Sequence, residues 1–354
     1  MKKRIFVLIF LLVLSYFCLS GQKNDIKSYY LHDIISKSPR IIAIDKDNIY
    51  ILNDDNMVVF VYSEKELKLK FKFGKKGRGP GEFIWINSFY PFKNRIFISN
   101  TGRVEYFDKQ GKLIKEIRHH PKYHGLIPIG GNYVCSVSGM PNPKDADKTT
   151  VSYYYALLNG KMEELKKIMD IKIQAATSYD FKRNRNIWFV LRNDVKCLVY
   201  NKRIYVGKSY DDKEEYHVFN QKGDKIKTII KRVKKRKTSD DFKQYVLDWF
   251  REAGYKRLLD SKRNIIKFNE YFPSMATFYI NSEKMYIVKY PEDKNTIPIV
   301  VRDLDGNLLS EKHIKLKNAF DFTWRRNAYI YGNSLYFIEE DEEKEVWVLK
   351  KMKF

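Results

Sequence analysis

IIAIDKDNIYILNDDNMVVFVYSEKELKLKFKF, residues Ile41–Phe73, holds four short apolar runs separated by polar turns. The runs are IIAID, IYIL, MVVFVY and LKLKFKF. Each is too short for an ordinary helix and is rich in β-branched and aromatic residues, so each reads as a strand. The intervening Asp, Asn, Ser and Glu residues supply turn chemistry. The fourth run is the most basic, as expected of an outer strand whose free edge is protected by charge.

The pattern recurs. A turn residue followed by an apolar–aromatic–apolar triplet appears as DNIYIL, NRIFIS, GNYVCS, KRIYVG, EKMYIV and NSLYFI. The central residue is Tyr50, Phe97, Tyr205, Tyr286 or Tyr336 in five copies and Val134 in the third. Each copy is preceded by a short apolar run and followed by another strand. After the first five copies comes a further, basic strand. Six units of four short strands predict an all-β fold, a six-bladed β-propeller. The sixth unit lacks an outer strand because the sequence ends at Phe354, and IKSYYLHDI (Ile26–Ile34) can supply it. A strand borrowed from the other end of the chain would close the ring and remove two open edges.

FGKKGRGPGEF, Phe73–Phe83, lies where the chain passes from the rim of the first blade to the axis of the second. Its glycines allow positive φ and Pro80 fixes one turn residue. A phosphate-binding loop would end in Lys followed by Ser or Thr at a helix start, whereas Glu82-Phe83 and strand-like residues follow here. The run of spaced glycines ending in Phe, with the VFD-like strand and Asp-x-x-Gly-like turn near it, resembles NHL repeats and the six-bladed propellers of that type exported by many bacteria. The resemblance is tight over Val59–Phe83 and Val104–Lys115. YFPSMATFYINSEKMYIV, Tyr271–Val288, resembles the family's Pro-containing lead into a late blade. It implies a propeller with loops exposed on two faces, and no particular activity, since related propellers include binding modules, lactonases, lyases and scaffolds.

The first residues read as a secretory signal: Lys2, Lys3 and Arg4, then an apolar stretch Ile5–Leu14, then small residues Ser20 and Gly21. The expected organisation is a signal peptide over 1–21 and the propeller over 22–354, with no transmembrane segment in the mature chain. The address is outside the cytoplasm, in the periplasm or at the cell surface. Cys18 offers a lipid anchor as the alternative to cleavage, against the bulky Tyr16 and Phe17 before it. Cys135 and Cys197 are left in the mature chain, either as two separate buried thiols or as a pair. Export argues against nucleic acid as the partner of the strongly basic chain (net charge +24), and an anionic envelope surface is the natural alternative.

One segment departs from the strand pattern. Over 238–268, apolar residues at Phe242, Tyr245, Val246, Trp249 and Phe250 have helical spacing, with Ser239 or Asp240 as the cap. A helical insertion between the fourth and fifth blades is expected, its apolar stripe packed on the propeller or offered to a partner.

Candidate chemistry is sparse. HHPKYH holds His119, His120 and His124 close enough in sequence to ligate zinc, yet no carboxylate lies among them. Asp45, Glu82, Asp180 and Asp321 could be inner-strand acids around a central metal, or turn formers. The loops joining second to third strands are acidic at Asp54-Asp55, Asp145 and Asp147, Asp211–Glu215, Glu292-Asp293 and Glu339–Glu343. They predict either an acidic rim able to collect cations such as Ca²⁺, or ordinary turns. On the same face the blade-to-blade loops carry Arg78, Glu82, Trp85, Trp324 and Arg325 as candidate ligand-binding residues, Trp and Arg being good anchors. The leading expectation is an exported binding or scaffold module without catalysis or cofactor, presenting this face to an envelope protein or small ligand. The alternative is a metal-dependent, lactonase-like hydrolase or lyase using the central channel with Ca²⁺ or Zn²⁺.

Overall fold

The computed structural model describes residues 26–34, 39–92, 94–138, 150–175, 177–180, 185–191, 195–255, 259–261, 263–320 and 328–354. The expected signal segment and the cysteine at its end lie outside them. Six four-stranded antiparallel sheets are arranged around an axis as blades. The first blade is Pro39–Ile44, Asn48–Asn53, Val58–Ser63 and Leu69–Phe73, hydrogen-bonded in that order. The inner strands of the others are Ser88–Pro91, Tyr123–Ile129, Val195–Tyr200, Thr277–Asn281 and Ala328–Tyr331.

The ring closes as the N-terminal residues predict. Ile26–Tyr30 pairs antiparallel with Val346–Lys353, from Ile26 opposite Met352 to Tyr30 opposite Val348. The last blade is thereby built from both ends of the chain. Leu31, fully buried, continues the seam by donating its backbone N–H to Trp347 O at 2.8 Å. A charge contact ties the sixth blade to the first: Glu64 accepts from Tyr336 Oη and pairs with Lys351.

The hydrophobic core is not one mass but six layers, one between each pair of neighbouring blades. The repeated triplet explains them. In every copy its central residue packs into the layer shared with the next blade: Tyr50, Phe97, Val134, Tyr205, Tyr286 and Tyr336 in turn. The sequence break at Val134 is therefore a change of size at a conserved location in the fold, and the larger Tyr133 beside it packs back against Phe97, ring centroids 5.9 Å apart. Burying these rings removes large apolar areas from water, at about 25 cal/mol per Å².

The turns between third and outer strands share one device in four blades. The side-chain oxygen of Asp108, Asn159, Asn220 or Asp303 accepts the backbone N–H two and four residues on, all at 2.8–3.0 Å. Such Asx turns replace the ladder hydrogen bonds that a chain reversal breaks. In the second blade the turn reaches Gly111, with φ +84°, where an added Cβ would lie 2.6 Å from Phe73 Cβ of the first blade. The turn is thus packed against its neighbour and cannot carry a side chain without displacing it.

FGKKGRGPGEF is a structural crossing. Phe83 is fully buried and meets Phe107 edge-on at 5.8 Å. Gly74, with φ +79°, lies so close under the Phe83 ring that a Cβ there would be 2.3 Å from it. The buried Glu105 accepts Gly81 N–H at 2.8 Å, and Arg103 donates to Arg78 O at 2.8 Å. Burial raises the Glu105 pKa, opposed by Gly81 N–H and Arg103.

Two blade crossings depart from the simple plan. The one from the third to the fourth blade contains a hairpin, Thr177–Asp180 with Arg185–Val190. The one from the fourth to the fifth contains a helix, α1 (Asp240–Phe250), capped by Ser239, whose side chain accepts Phe242 N–H. A single π-helical turn, Arg251–Tyr255, continues it. The helical reading of 238–268 needs correction at its end: Asn264–Phe268 is a strand, and it pairs in parallel with Arg185–Val190.

Candidate functional site

The loops joining second to third strands and the blade-to-blade crossings share one face of the ring. Over the fourth blade the two long crossings meet there. Their parallel pairing joins segments on either side of the whole fourth blade, so they form one lobe rather than two independent loops. The lobe has its own core, a seventh cluster of Val190, Leu191, Phe242, Val246, Phe272 and Phe320. Phe242 is fully buried, and its ring meets Phe272 at 5.2 Å, Phe320 at 5.3 Å and Tyr290 at 6.3 Å, all edge-on. Tyr290 belongs to a loop of the fifth blade and Phe320 to the crossing beyond it. The apolar stripe of α1 therefore packs on the propeller, the first of the two expectations for it.

Beside the lobe, between the fourth and fifth blades, a groove of about 370 Å³ opens. Glu214, at the start of the fourth blade's third strand, is completely buried beneath it. Its carboxylate accepts from Tyr216 Oη at 3.2 Å, pairs with Lys289 of the fifth blade, and lies 3.6 Å from Arg302 Nε. Lys289 also donates to Ser274 O at 2.8 Å. Burial lowers the Lys289 pKa, and Glu214 opposes that shift. Arg236 joins the lining from the start of the crossing, donating to Tyr290 O at 2.5 Å with its guanidinium 5.3 Å from the Phe272 ring centre. Phe272, Pro298, Val300 and Leu308 give the groove apolar walls.

The acids of the rim are engaged locally. Asp211 pairs with Lys235 at 2.7 Å, and Glu292 with His313 at 3.1 Å. Elsewhere on the face Asp54 holds Arg40 through two contacts, at 2.7 and 3.1 Å, and Glu339 pairs with Lys350. Asp293 accepts the N–H of Asn295 and the hydroxyl of Thr296, closing its own turn. The acidic loops thus act as turn formers and ion-pair partners at these positions. Asp145 and Asp147 lie outside the described residues.

Of the residues expected to bind a ligand, Arg78, Glu82 and Trp85 share the first crossing. Trp85 is 53% exposed, with the Arg40 guanidinium 5.8 Å from its ring centre. Arg78 is exposed. Glu82 turns inward on its own loop, accepting Gly79 N–H at 2.8 Å and pairing with Lys75 at 3.0 Å. The Gly79 N–H, then Lys75, hold its carboxyl below the usual glutamate range. Trp324 and Arg325 lie outside the described residues, as does Asp321. Asp45 forms a turn, accepting the N–H groups of Asp47 and Asn48. Asp180 ends a strand of the lobe. The histidines of HHPKYH bond locally: His119 Nδ1 to His120 O, His120 Nδ1 from Lys122 N–H, and His124 Nε2 to Ser138 Oγ. Among the described residues no three of His, Cys, Asp and Glu converge as a metal-binding group. Cys135 and Cys197 are separate free thiols.

The groove itself was not among the expected sites. Its signals were visible in KEEYHVF, where a strand begins with two acids, and in Lys289 and Arg302, which interrupt or end apolar runs. Arg236 was hidden within the basic run Lys231–Lys237.

Comparison with known proteins agrees with this architecture. A family model described as a 6-bladed beta-propeller matches residues 32–271. Among solved structures, a protein of Bacteroides fragilis NCTC 9343 presumed to be exported superposes with a TM-score of 0.55 at 12% identity, covering 94% of this chain and 97% of its own. The Neurospora crassa Pan2 WD40 domain superposes with a TM-score of 0.42 at 10% identity, over 93% of this chain and 96% of that one. No curated protein matches the chain. Among the described residues no helix is long and apolar enough to cross a membrane. With two-thirds of its length matched by the family model and all six blades in place, the chain belongs to the 6-bladed beta-propeller family.

Proposed function

We propose that this protein is an exported binding module that acts without catalysis and recognises its ligand or partner through the loop face over the fourth and fifth blades. The charged and apolar segments at the N-terminus support export, as does the presumed export of the Bacteroides fragilis protein of the same fold. The observation that carries the binding role is the asymmetry of the two faces. The face of the Asx turns is built from short, internally bonded reversals. The other face carries two long crossings that pair with each other and raise a lobe with its own core beside a groove. Functional groups concentrate on loops held by a rigid scaffold, and a propeller is such a scaffold. Exposed aromatic residues stand on the same face, Tyr255 on the lobe and Trp85 at the first crossing.

The test is co-purification from envelope extract. Trp85→Ala with Tyr255→Ala should lose the bound species, whereas Ile114→Ser, on the outer strand of the second blade, should retain it. Equal retention by both would overturn the assignment of the face.

A further inference from the structure

The geometry points to the groove between the fourth and fifth blades as a binding site for a small organic anion, a carboxylate or phosphate group borne on an apolar body. This inference rests on the loop-face reading and gives it a ligand chemistry.

Charge is sorted by depth. The floor holds Lys289, Arg302 and Arg236; the buried Glu214 faces Lys289 and Arg302, and Glu292 attracts Arg236 from the rim. Lys289 and Arg302 side chains are 15% and 13% exposed, and the Glu214 carboxylate is fully buried. Glu214 is the one buried carboxylate beside these cations, and the exposed Glu292 is screened by water, so the floor keeps an excess positive charge in a place of low dielectric, where an unmatched charge is costly. The Arg302 Nε has an ion-pair neighbour but no hydrogen-bond acceptor. The groove's remaining acids, Asp211, Glu292 and Glu311, lie at the exposed rim. Asp211 has Lys235, while His313 stands beside both Glu292 and Glu311. Water screens charges at the rim far more than at the floor, so an incoming anion gains more from the cations than it loses to the acids.

Shape and walls agree with a small ligand. A volume of about 370 Å³ lies at the lower end of the range for small-molecule pockets. Phe272, Pro298, Val300 and Leu308 offer apolar contact beside the cationic floor, so an anionic head with a ring or short chain matches both surfaces. Arginine supplies a planar, permanently charged fork suited to either head group.

The test is isothermal titration with phenyl phosphate and benzoate, using benzyl alcohol and benzylamine as neutral and cationic controls. The expected result is one-to-one binding of at least one anion, weaker at high salt, with neither control binding comparably. Arg236→Gln should weaken it about tenfold, the loss of one charge-assisted hydrogen bond. Leu308→Glu places a carboxylate at an exposed position of the wall, opposite Arg302 on the neighbouring strand, and should weaken binding even if Arg236→Gln fails to fold. Lys115→Gln, on a distant outer strand, should leave it unchanged. Preference between the two probes separates a phosphate site from a carboxylate site. Anions binding no better than benzyl alcohol, or equal losses in Leu308→Glu and Lys115→Gln, would overturn the inference. If it fails while Trp85→Ala with Tyr255→Ala still abolishes co-purification, the loop-face reading stands and only the ligand chemistry falls.

Discussion

Replacing Gly111 by alanine should destabilise the propeller well beyond what the backbone angle alone accounts for. Two costs combine. With φ at +84°, any side chain there is held in the left-handed region, which costs about 1–2 kcal/mol. The new Cβ would also lie 2.6 Å from Phe73 Cβ and 2.7 Å from Phe73 Cγ. Those atoms belong to the base of a side chain on the first blade's outer strand and cannot swing aside as a flexible tip could. Overpacking of this kind typically costs about 1–3 kcal/mol, giving about 2–5 kcal/mol in all. Gly102 provides the control: its φ is +74°, but nothing lies within 4 Å of a Cβ there. Gly102→Ala should therefore cost only the first part, about 1–2 kcal/mol. Urea unfolding of both variants measures the difference, and an unchanged m-value would show that only stability has moved. Equal losses in the two variants would refute the view that the Asx turn of one blade is packed against the next.

Other perturbations test the ring closure and the lobe. Leu31→Ala removes a fully buried side chain from the seam between the two chain ends, and should cost about 2–5 kcal/mol in thermal or urea unfolding. Phe242→Ala empties the centre of the lobe core and should cost about 3–5 kcal/mol within the lobe, read as loss of amide protection in α1 and in Asn264–Phe268 while the first blade stays protected. Acid should loosen the closure through Glu64. Burial tends to raise its pKa, but Lys351 and Tyr336 outweigh burial and set it below the ordinary glutamate value. Its contribution is present above that ordinary value and disappears as pH falls through the lower folded value. Glu64→Gln should accordingly flatten the stability profile below about pH 4.3 and leave its shape near neutrality unchanged.

Most of the ring was legible because its signals are local and repeated. Short apolar runs between polar turns and the triplet recur around the ring, and a single misfit such as Val134 does not hide them. The closing strand could be inferred because an incomplete last unit implies an unpaired edge. The lobe was only half legible. The stripe Phe242, Tyr245, Val246 and Phe250 announces a helix within one short window. Asn264–Phe268 is a strand only by virtue of Arg185–Val190, 78 positions away at the Asn186–Asn264 contact, and no local pattern reports such a parallel pairing. The groove was less legible still. Glu214 reads as a turn acid until Lys289, Arg302 and Tyr216 are brought around it by two different blades. Glu82 shows the reverse case. It stands in a loop rich in glycine and looks available, yet the backbone it helps to fold is its partner.

The most direct test of the central claim is photo-crosslinking in envelope extract, with a photoreactive residue placed at Tyr255 on the lobe, at Lys234 where the crossing lines the groove, or at Ile114 on the second blade's outer strand. All three positions are exposed, so none depends on disturbing the core. The account predicts a discrete crosslinked species from Tyr255 or Lys234 and none from Ile114. A species captured from Ile114 alone, or equally from all three, would contradict the assignment of recognition to the loop face over the fourth and fifth blades.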